Sequence, residues 1–165
     1  QKTAYEIRLS LVGSEMCIRD SILTLSNDKW DQRFLDLARE VSTWSKDPSR
    51  QIGCIAVRDR KILATGYNGF PKGIDDRRTR YIDREQKYHY VVHAEMNAIY
   101  NAAENGVSLR GSTMYIYGLP VCSECAKGII QVGVERVVAF SKETPERWMD
   151  AIKKTTDLGI FLIGV

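Results

Sequence analysis

Apolar residues at Trp30, Phe34, Leu37, Ala38, Val41 and Trp44 recur every three or four positions, the period of one helix face, and Ser26-Asn27-Asp28 supplies a cap for that helix. The polar stretch Ser45-Lys46-Asp47-Pro48-Ser49-Arg50 ends it, because the residue before a proline is pushed out of helical conformation. Two short apolar runs, 52–57 and 61–66, flank Arg58-Asp59-Arg60 and predict a hairpin. Tyr67-Asn68-Gly69-Phe70-Pro71-Lys72-Gly73 follows as a shaped loop. Residues 92–100 hold few helix breakers and predict a buried helix with His93 in its first turn. Strands are then expected over 112–117, 136–140 and 160–163, with helices over 123–131 and 145–158 between them. A helix between successive strands is the signature of parallel βαβ units. The expectation for residues 26–165 is one three-layer α/β/α domain with a five-stranded mixed sheet whose last strands are parallel. Residues 1–25 show no clean periodicity and resemble translated adapter sequence, so a non-native or disordered leader is expected there.

Two short stretches stand out chemically on this frame: His93-Ala94-Glu95 and Pro120-Val121-Cys122-Ser123-Glu124-Cys125. One imidazole and two thiols make three ligands for tetrahedral zinc, and a catalytic zinc keeps its fourth position for water. Residues two apart on a helix point away from each other, so a metal on the flank could not serve both His93 and Glu95. A metal beyond the helix N-terminus could, with His93 as ligand and Glu95 reaching its water. Cys122 and Cys125 also open a predicted helix, whose first-turn dipole favours thiolate. Alone, a C-x-x-C is often a structural knuckle or a redox pair, and an H-x-E is close to noise. Both together, each opening a predicted helix, match a zinc that activates water beside a non-ligand glutamate for attack on a nucleobase.

Composition narrows the setting. A hydrophobic fraction of 44% and a charged fraction of 27% are ordinary for a soluble globular chain, and a net charge of +3 does not call for nucleic acid. Four cysteines do not make a disulfide scaffold: two are assigned to metal, Cys54 lies in an apolar strand and Cys17 in the leader. A reducing, cytoplasmic setting is expected, with no membrane span. Residues 75–90 interleave Arg77, Arg78, Arg80, Arg84 and Lys87 with Tyr81, Tyr88 and Tyr90, but Asp75, Asp76, Asp83 and Glu85 dilute the positive field. A solvated insertion or subunit contact is favoured there over a nucleic-acid surface.

From about Trp30 onward the chain resembles the deoxycytidylate (dCMP) deaminases of the cytidine deaminase superfamily. The likeness rests on Ser45-Lys46-Asp47-Pro48, Gly66-Tyr67-Asn68-Gly69-Phe70-Pro71-Lys72-Gly73, the run Lys87-Tyr88-His89-Tyr90-Val91-Val92-His93-Ala94-Glu95-Met96-Asn97, and Cys122-Ser123-Glu124-Cys125 with the helix after it. The resemblance implies hydrolysis of dCMP to dUMP and ammonia, with one Zn²⁺ per chain on His93, Cys122 and Cys125 and Glu95 as base and acid. It implies Asn68 at the sugar hydroxyl and the Ala94 backbone at the base edge. Lys46 is the candidate for the 5′-phosphate, and Tyr115 or Tyr117 for the wall of the base pocket. It further implies a hexamer, with dCTP activating and dTTP inhibiting through a loop containing Asn68, Gly69, Gly73 and Asp76, Mg²⁺ accompanying the triphosphate. One departure is that the superfamily usually sets proline directly before the first cysteine, whereas Val121 intervenes here. A second, structural zinc is not expected, since only Cys54 and His89 remain for it.

Three rivals share parts of this signature. One is a deaminase of another cytosine nucleotide, such as dCTP or a 5-substituted dCMP. Another is a tRNA or single-strand deaminase, which needs a basic groove with stacking aromatics. The last is a zinc-stabilised interaction module, which would show a fourth protein ligand.

Overall fold

The computed structural model describes residues 29–141. The leader 1–25, the cap at 26–28, and the helix and strand expected over 145–158 and 160–163 lie outside the described residues.

The first helix, α1 (Lys29–Ser42), buries Asp31, Phe34, Leu35, Ala38 and Val41, a stripe at helical spacing. Leu37 and Trp44, both counted into the expected apolar face, are exposed. The helix stops at Ser42, so Trp44 leaves the helical register, and Leu35 occupies the core position that Leu37 was expected to fill. Strands β1 (Gly53–Arg58) and β2 (Lys61–Tyr67) form the predicted hairpin. Its two turn residues, Asp59 and Arg60, have φ of 52° and 61°, the left-handed pair whose twist suits a two-residue hairpin.

The charged segment 75–90, expected as an insertion, folds into two short helices, α2 (Arg78–Ile82) and α3 (Arg84–Tyr90). Asp83 caps α3 by accepting from the amides of Glu85 and Gln86. The remaining elements are α4 (Ala94–Glu104), β3 (Thr113–Tyr117), α5 (Ser123–Gln131) and β4 (Arg136–Phe140). Among the described residues the sheet has four strands in the order β2-β1-β3-β4. β1 is antiparallel to both neighbours, while β3 and β4 run parallel because α5 carries the chain back across the sheet. The mixed sheet with a parallel end is therefore as expected.

Strand alternation sends Cys54, Ala56, Met114, Ile116, Val137 and Ala139 to one face, against α4 and α5. Ile55, Val57, Tyr115 and Val138 go to the other face, against α1. Burying each large aliphatic side chain contributes roughly 1.5–3 kcal/mol. Gly66 sets how closely α4 lies on the sheet. A methyl group there would overlap the Ala94 carbonyl oxygen and the Ala98 amide, so only glycine lets the first turn of α4 sit against β2.

Candidate active site

The start of α4 differs from the sequence expectation in one informative way. His93 is not in the first turn but is the residue preceding it, in extended conformation at φ −69° and ψ 154°. The cause is next door: the amide of Val92 donates to the Gly69 carbonyl and the amide of Gly69 donates to the Val92 carbonyl, drawing the chain into a β-bridge before the helix can begin. Cys122 holds the corresponding place on α5, extended at φ −80° and ψ 162°, with Cys125 in the first turn. The inserted Val121 does not disturb this join; its side chain is buried in the core beneath α4 and α5.

These two helix starts meet. Nδ1 of His93 lies 3.4 Å from Sγ of Cys122 and 3.4 Å from Sγ of Cys125. All three ligand atoms fall within 4.8 Å of one another, and no other such group of potential metal ligands occurs among the described residues. The donor set suits zinc. The Cys125 thiol donates to Cys122 and, with the help of His93 and against the opposing effect of burial, holds the Cys122 thiol down at about 4. That same neighbour, with burial, pushes Cys125 up, so the protein alone stabilises one thiolate rather than two. A divalent cation among the three atoms supplies the charge that would ionise both.

Glu95, at the second position of α4, is 4% exposed. Burial pushes its carboxyl up to about 7, with only partial relief from its own backbone amide and His93. Cys54 lies close enough for the Glu95 charge to reach it, and burial pushes that thiol well up, keeping it neutral.

His93, Glu95 and Cys122 open onto a cavity of about 260 Å³. Asp47, Arg50, Asn68 and Lys87 line the same cavity. A larger depression of about 350 Å³ between β2 and α4, with Ile62, Thr65, Asn101 and Asn105 among its lining residues, has no titratable side chain. The chemistry is in the smaller one.

The remaining expected site residues fall in different places. Asn68 lines the cavity, but its side chain also braces the loop before β1: Oδ1 accepts from the Ile52 amide at 2.8 Å, while Nδ2 donates to the Arg50 carbonyl at 2.8 Å and to Asp47 at 3.2 Å. Ala94 is fully buried at the head of α4. Lys46 is not among the cavity-lining residues; it is exposed and paired with Asp76 at 2.7 Å. Gly69 is held by the bridge to Val92, and Gly73 lies in an exposed turn. Tyr115 faces away from the metal ligands: it tilts against Phe34, and its hydroxyl donates to Asp31 at 2.8 Å. Alternation decides this, because Met114 and Ile116 take the face shared with α4 and α5. Tyr117 points the same way as Tyr115 and stacks on Phe140.

The sequence reading did not single out Asp47 and Lys87 as site residues. Their Nζ–Oδ2 pair spans 2.6 Å across elements forty residues apart, and no local spacing announces it. Only the Asp-Pro-Ser turn signal around Asp47 was legible.

Comparison with known proteins bears directly on this constellation. The family profile described as the cytidine and deoxycytidylate deaminase zinc-binding region matches residues 28–141. The chain belongs to that family. Among its relatives, the deoxycytidylate deaminase of Mus musculus is 43% identical over 119 residues, which is 68% of this chain and 65% of the mouse protein. A probable deoxycytidylate deaminase of Caenorhabditis elegans is 43% identical over 134 residues, 78% of this chain and 66% of the nematode protein. The chain therefore spans just under two thirds of the length of these relatives. Of solved structures, the dCMP deaminase of cyanophage S-TIM5 in complex with dCMP and dUMP matches with a TM-score of 0.68 at 28% identity. That match covers 81% of this chain and 95% of the phage chain. The α/β fold described above is the cytidine-deaminase-like fold, and its His/Cys/Cys group lies within the matched zinc-binding region.

Proposed function

We propose that the chain catalyses hydrolytic deamination of dCMP to dUMP and ammonia, with one zinc held by His93, Cys122 and Cys125. The observation that carries this reading is the presence of Glu95 beside that triad, in a cavity that also presents Lys87 and Arg50. A proton carrier beside a metal position suits attack of water on a cytosine ring, and cations nearby suit a nucleotide. The named relatives and the phage enzyme that holds dCMP and dUMP support the choice of substrate.

Zinc in this position would act as a Lewis acid and make a water a stronger nucleophile at neutral pH. Glu95 takes a proton from the water that attacks C4 and gives it to N3, then takes the proton of the new C4 hydroxyl and gives it to the departing amine. Burial works to keep the Glu95 carboxyl protonated and a dication on the three ligands would work to ionise it, a balance that suits a group that must both accept and give protons. The Ala94 backbone, at the head of α4, meets the base edge. Asn68 shapes the sugar side of the cavity, with its own side chain fixed by Ile52, Arg50 and Asp47.

Regulation belongs to the same reading. A homo-oligomer, hexameric by family resemblance, would take dCTP or dTTP with Mg²⁺ near Asn68, Gly69, Gly73 and Asp76, where an incoming triphosphate would compete for the exposed Lys46–Asp76 pair. No helix among the described residues is long and apolar enough to cross a membrane, and a cytoplasmic setting fits thiols that must stay reduced.

The test is a substrate panel. Zinc-loaded protein is given dCMP, dCTP, deoxycytidine, 5-methyl-dCMP and single-stranded DNA, and ammonia release is followed. dCMP is expected to be the best substrate. Release from single-stranded DNA alone would overturn the nucleotide reading.

A further inference from the structure

We propose that Lys87 is a specificity-determining residue that reads the anionic end of the substrate, and that Asp47 holds it in place for that task. This rests on the reading of the cavity as a nucleotide site.

Lys87 is a cavity-lining cation whose ammonium is itself sequestered: its side chain is 13% exposed and that of Asp47 1%. An ammonium carries three N–H donors. Lys87 spends one on Asp47 Oδ2 at 2.6 Å and one on the Ser49 hydroxyl at 2.8 Å. One donor remains on a residue whose side chain borders the cavity. An oxygen of an anionic substituent entering that space would complete the set without breaking either existing contact.

Asp47, by contrast, is saturated. Its Oδ1 accepts from the Ser49 amide, the Ser49 hydroxyl and the Arg50 amide, and its Oδ2 from Asn68 and Lys87. Burial works to raise its carboxyl, but Lys87 and Ser49 outweigh burial and hold it below its ordinary value, so it stays charged. That charge fixes the ammonium at the tip of a long, flexible side chain, so less ordering is left to do when the ligand arrives. It also ties the loop carrying Arg50, a second cavity-lining cation, to the same anchor.

A purely structural role explains less. Buried ion pairs are weak contributors to stability, and well-packed apolar residues often replace them at no loss. The other paired lysines are arranged differently. Lys46 with Asp76, Lys72 with Glu104 and Lys127 with Glu124 are exposed on both partners, and none of these lysines lines the cavity.

The experiment compares Lys87→Met and Lys87→Arg with the unaltered chain, all zinc-loaded, matched for zinc content and assayed at a temperature where each is folded, because removing Lys87 leaves Asp47 buried without its cation. KM and kcat are measured on dCMP and on deoxycytidine, and Kd for dUMP and inorganic phosphate by calorimetry. Lys87→Met is expected to raise KM for dCMP and Kd for dUMP about ten-fold or more, the scale of one lost hydrogen bond to a charged group. kcat on dCMP should change little, kcat/KM on deoxycytidine should stay within about two-fold of the unaltered value, and Lys87→Arg should recover part of the loss. Equal losses on both substrates would make the pair a structural clamp, and no change on either would make Lys87 a bystander; both overturn the proposal. If the unaltered chain deaminates neither substrate, the proposed function fails, and the binding of dUMP and phosphate still decides the role of Lys87.

Discussion

Two carboxylates in this molecule are buried almost equally and behave in opposite ways. Asp31 on α1 is 3% exposed and Glu95 on α4 is 4% exposed. Burial raises both. Around Asp31 it is outweighed: Arg136 reaches across from β4 with two hydrogen bonds, at 2.8 and 2.5 Å, and Tyr115 donates a third, so the carboxyl stays below its ordinary value. Around Glu95 burial is only partly offset, by the amide at the head of α4 and by His93, and the carboxyl of the metal-free chain rises to about 7. Burial alone therefore says little about a carboxylate. Whether its donors are supplied by the fold or left to come from outside separates a structural acid from one ready to exchange protons.

The sharpest way to break the comparison is to neutralise each acid in turn. Glu95→Gln is expected to retain zinc and fold while turnover on dCMP falls by about 10²–10⁴-fold, the range for acid–base catalysis. Loss of zinc in that variant would instead make Glu95 a ligand. Metal analysis beside steady-state kinetics separates the two outcomes.

Asp31→Asn should do the reverse. Removing the charge leaves Arg136 without its partner and should cost about 1.5–3 kcal/mol in urea unfolding at neutral pH. Turnover per folded, zinc-loaded chain should stay the same. The pH dependence has a definite sign. A carboxyl held below its unfolded value adds stability above that value, and the contribution disappears as pH falls through the folded one. The gap between the unaltered chain and Asp31→Asn should accordingly narrow as pH drops below Asp31's ordinary value of 3.8. A gap that stays constant across the acid range would mean that Asp31 contributes through shape rather than charge. The smallest effect belongs to Tyr115→Phe, which removes one donor from Asp31 and should cost about 0.5–1.5 kcal/mol with no change in KM. A rise in KM for dCMP in this variant would restore Tyr115 to the base pocket.

What the sequence made legible follows from how far apart the interacting residues lie. The run Ser123–Gln131 and the strand Arg136–Phe140 could be bounded from local pattern alone, and both keep those bounds in the fold. The candidate metal ligands, which the fold brings together, were readable for the same reason, since H-A-E and C-x-x-C are short and each marks a helix start. Asp31 was invisible because its partner Arg136 is 105 positions away, and Lys87 because Asp47 is forty positions back. Alternation in β3 puts Tyr115 and Met114 on opposite faces; which of them faces the candidate ligands depends on where α4 and α5 dock, which no local pattern states. The expected insertion at 75–90 carried an unused signal in Asp83-x-x-Gln86, the pattern of a helix start, which the structure uses to cap α3.

The placement of the ligands at two helix starts on either side of β3 also has a kinetic meaning. His93 and Cys122 are 29 residues apart, and β3, which joins β1 on one side and β4 on the other, lies between them in the chain. In the folded chain His93 reaches the two cysteines with α4 and α5 both docked on one face of the sheet that contains β3. If zinc is held by all three, its retention should report on assembly of the sheet: during refolding, loss of the metal to a chelator is expected to slow as the sheet forms.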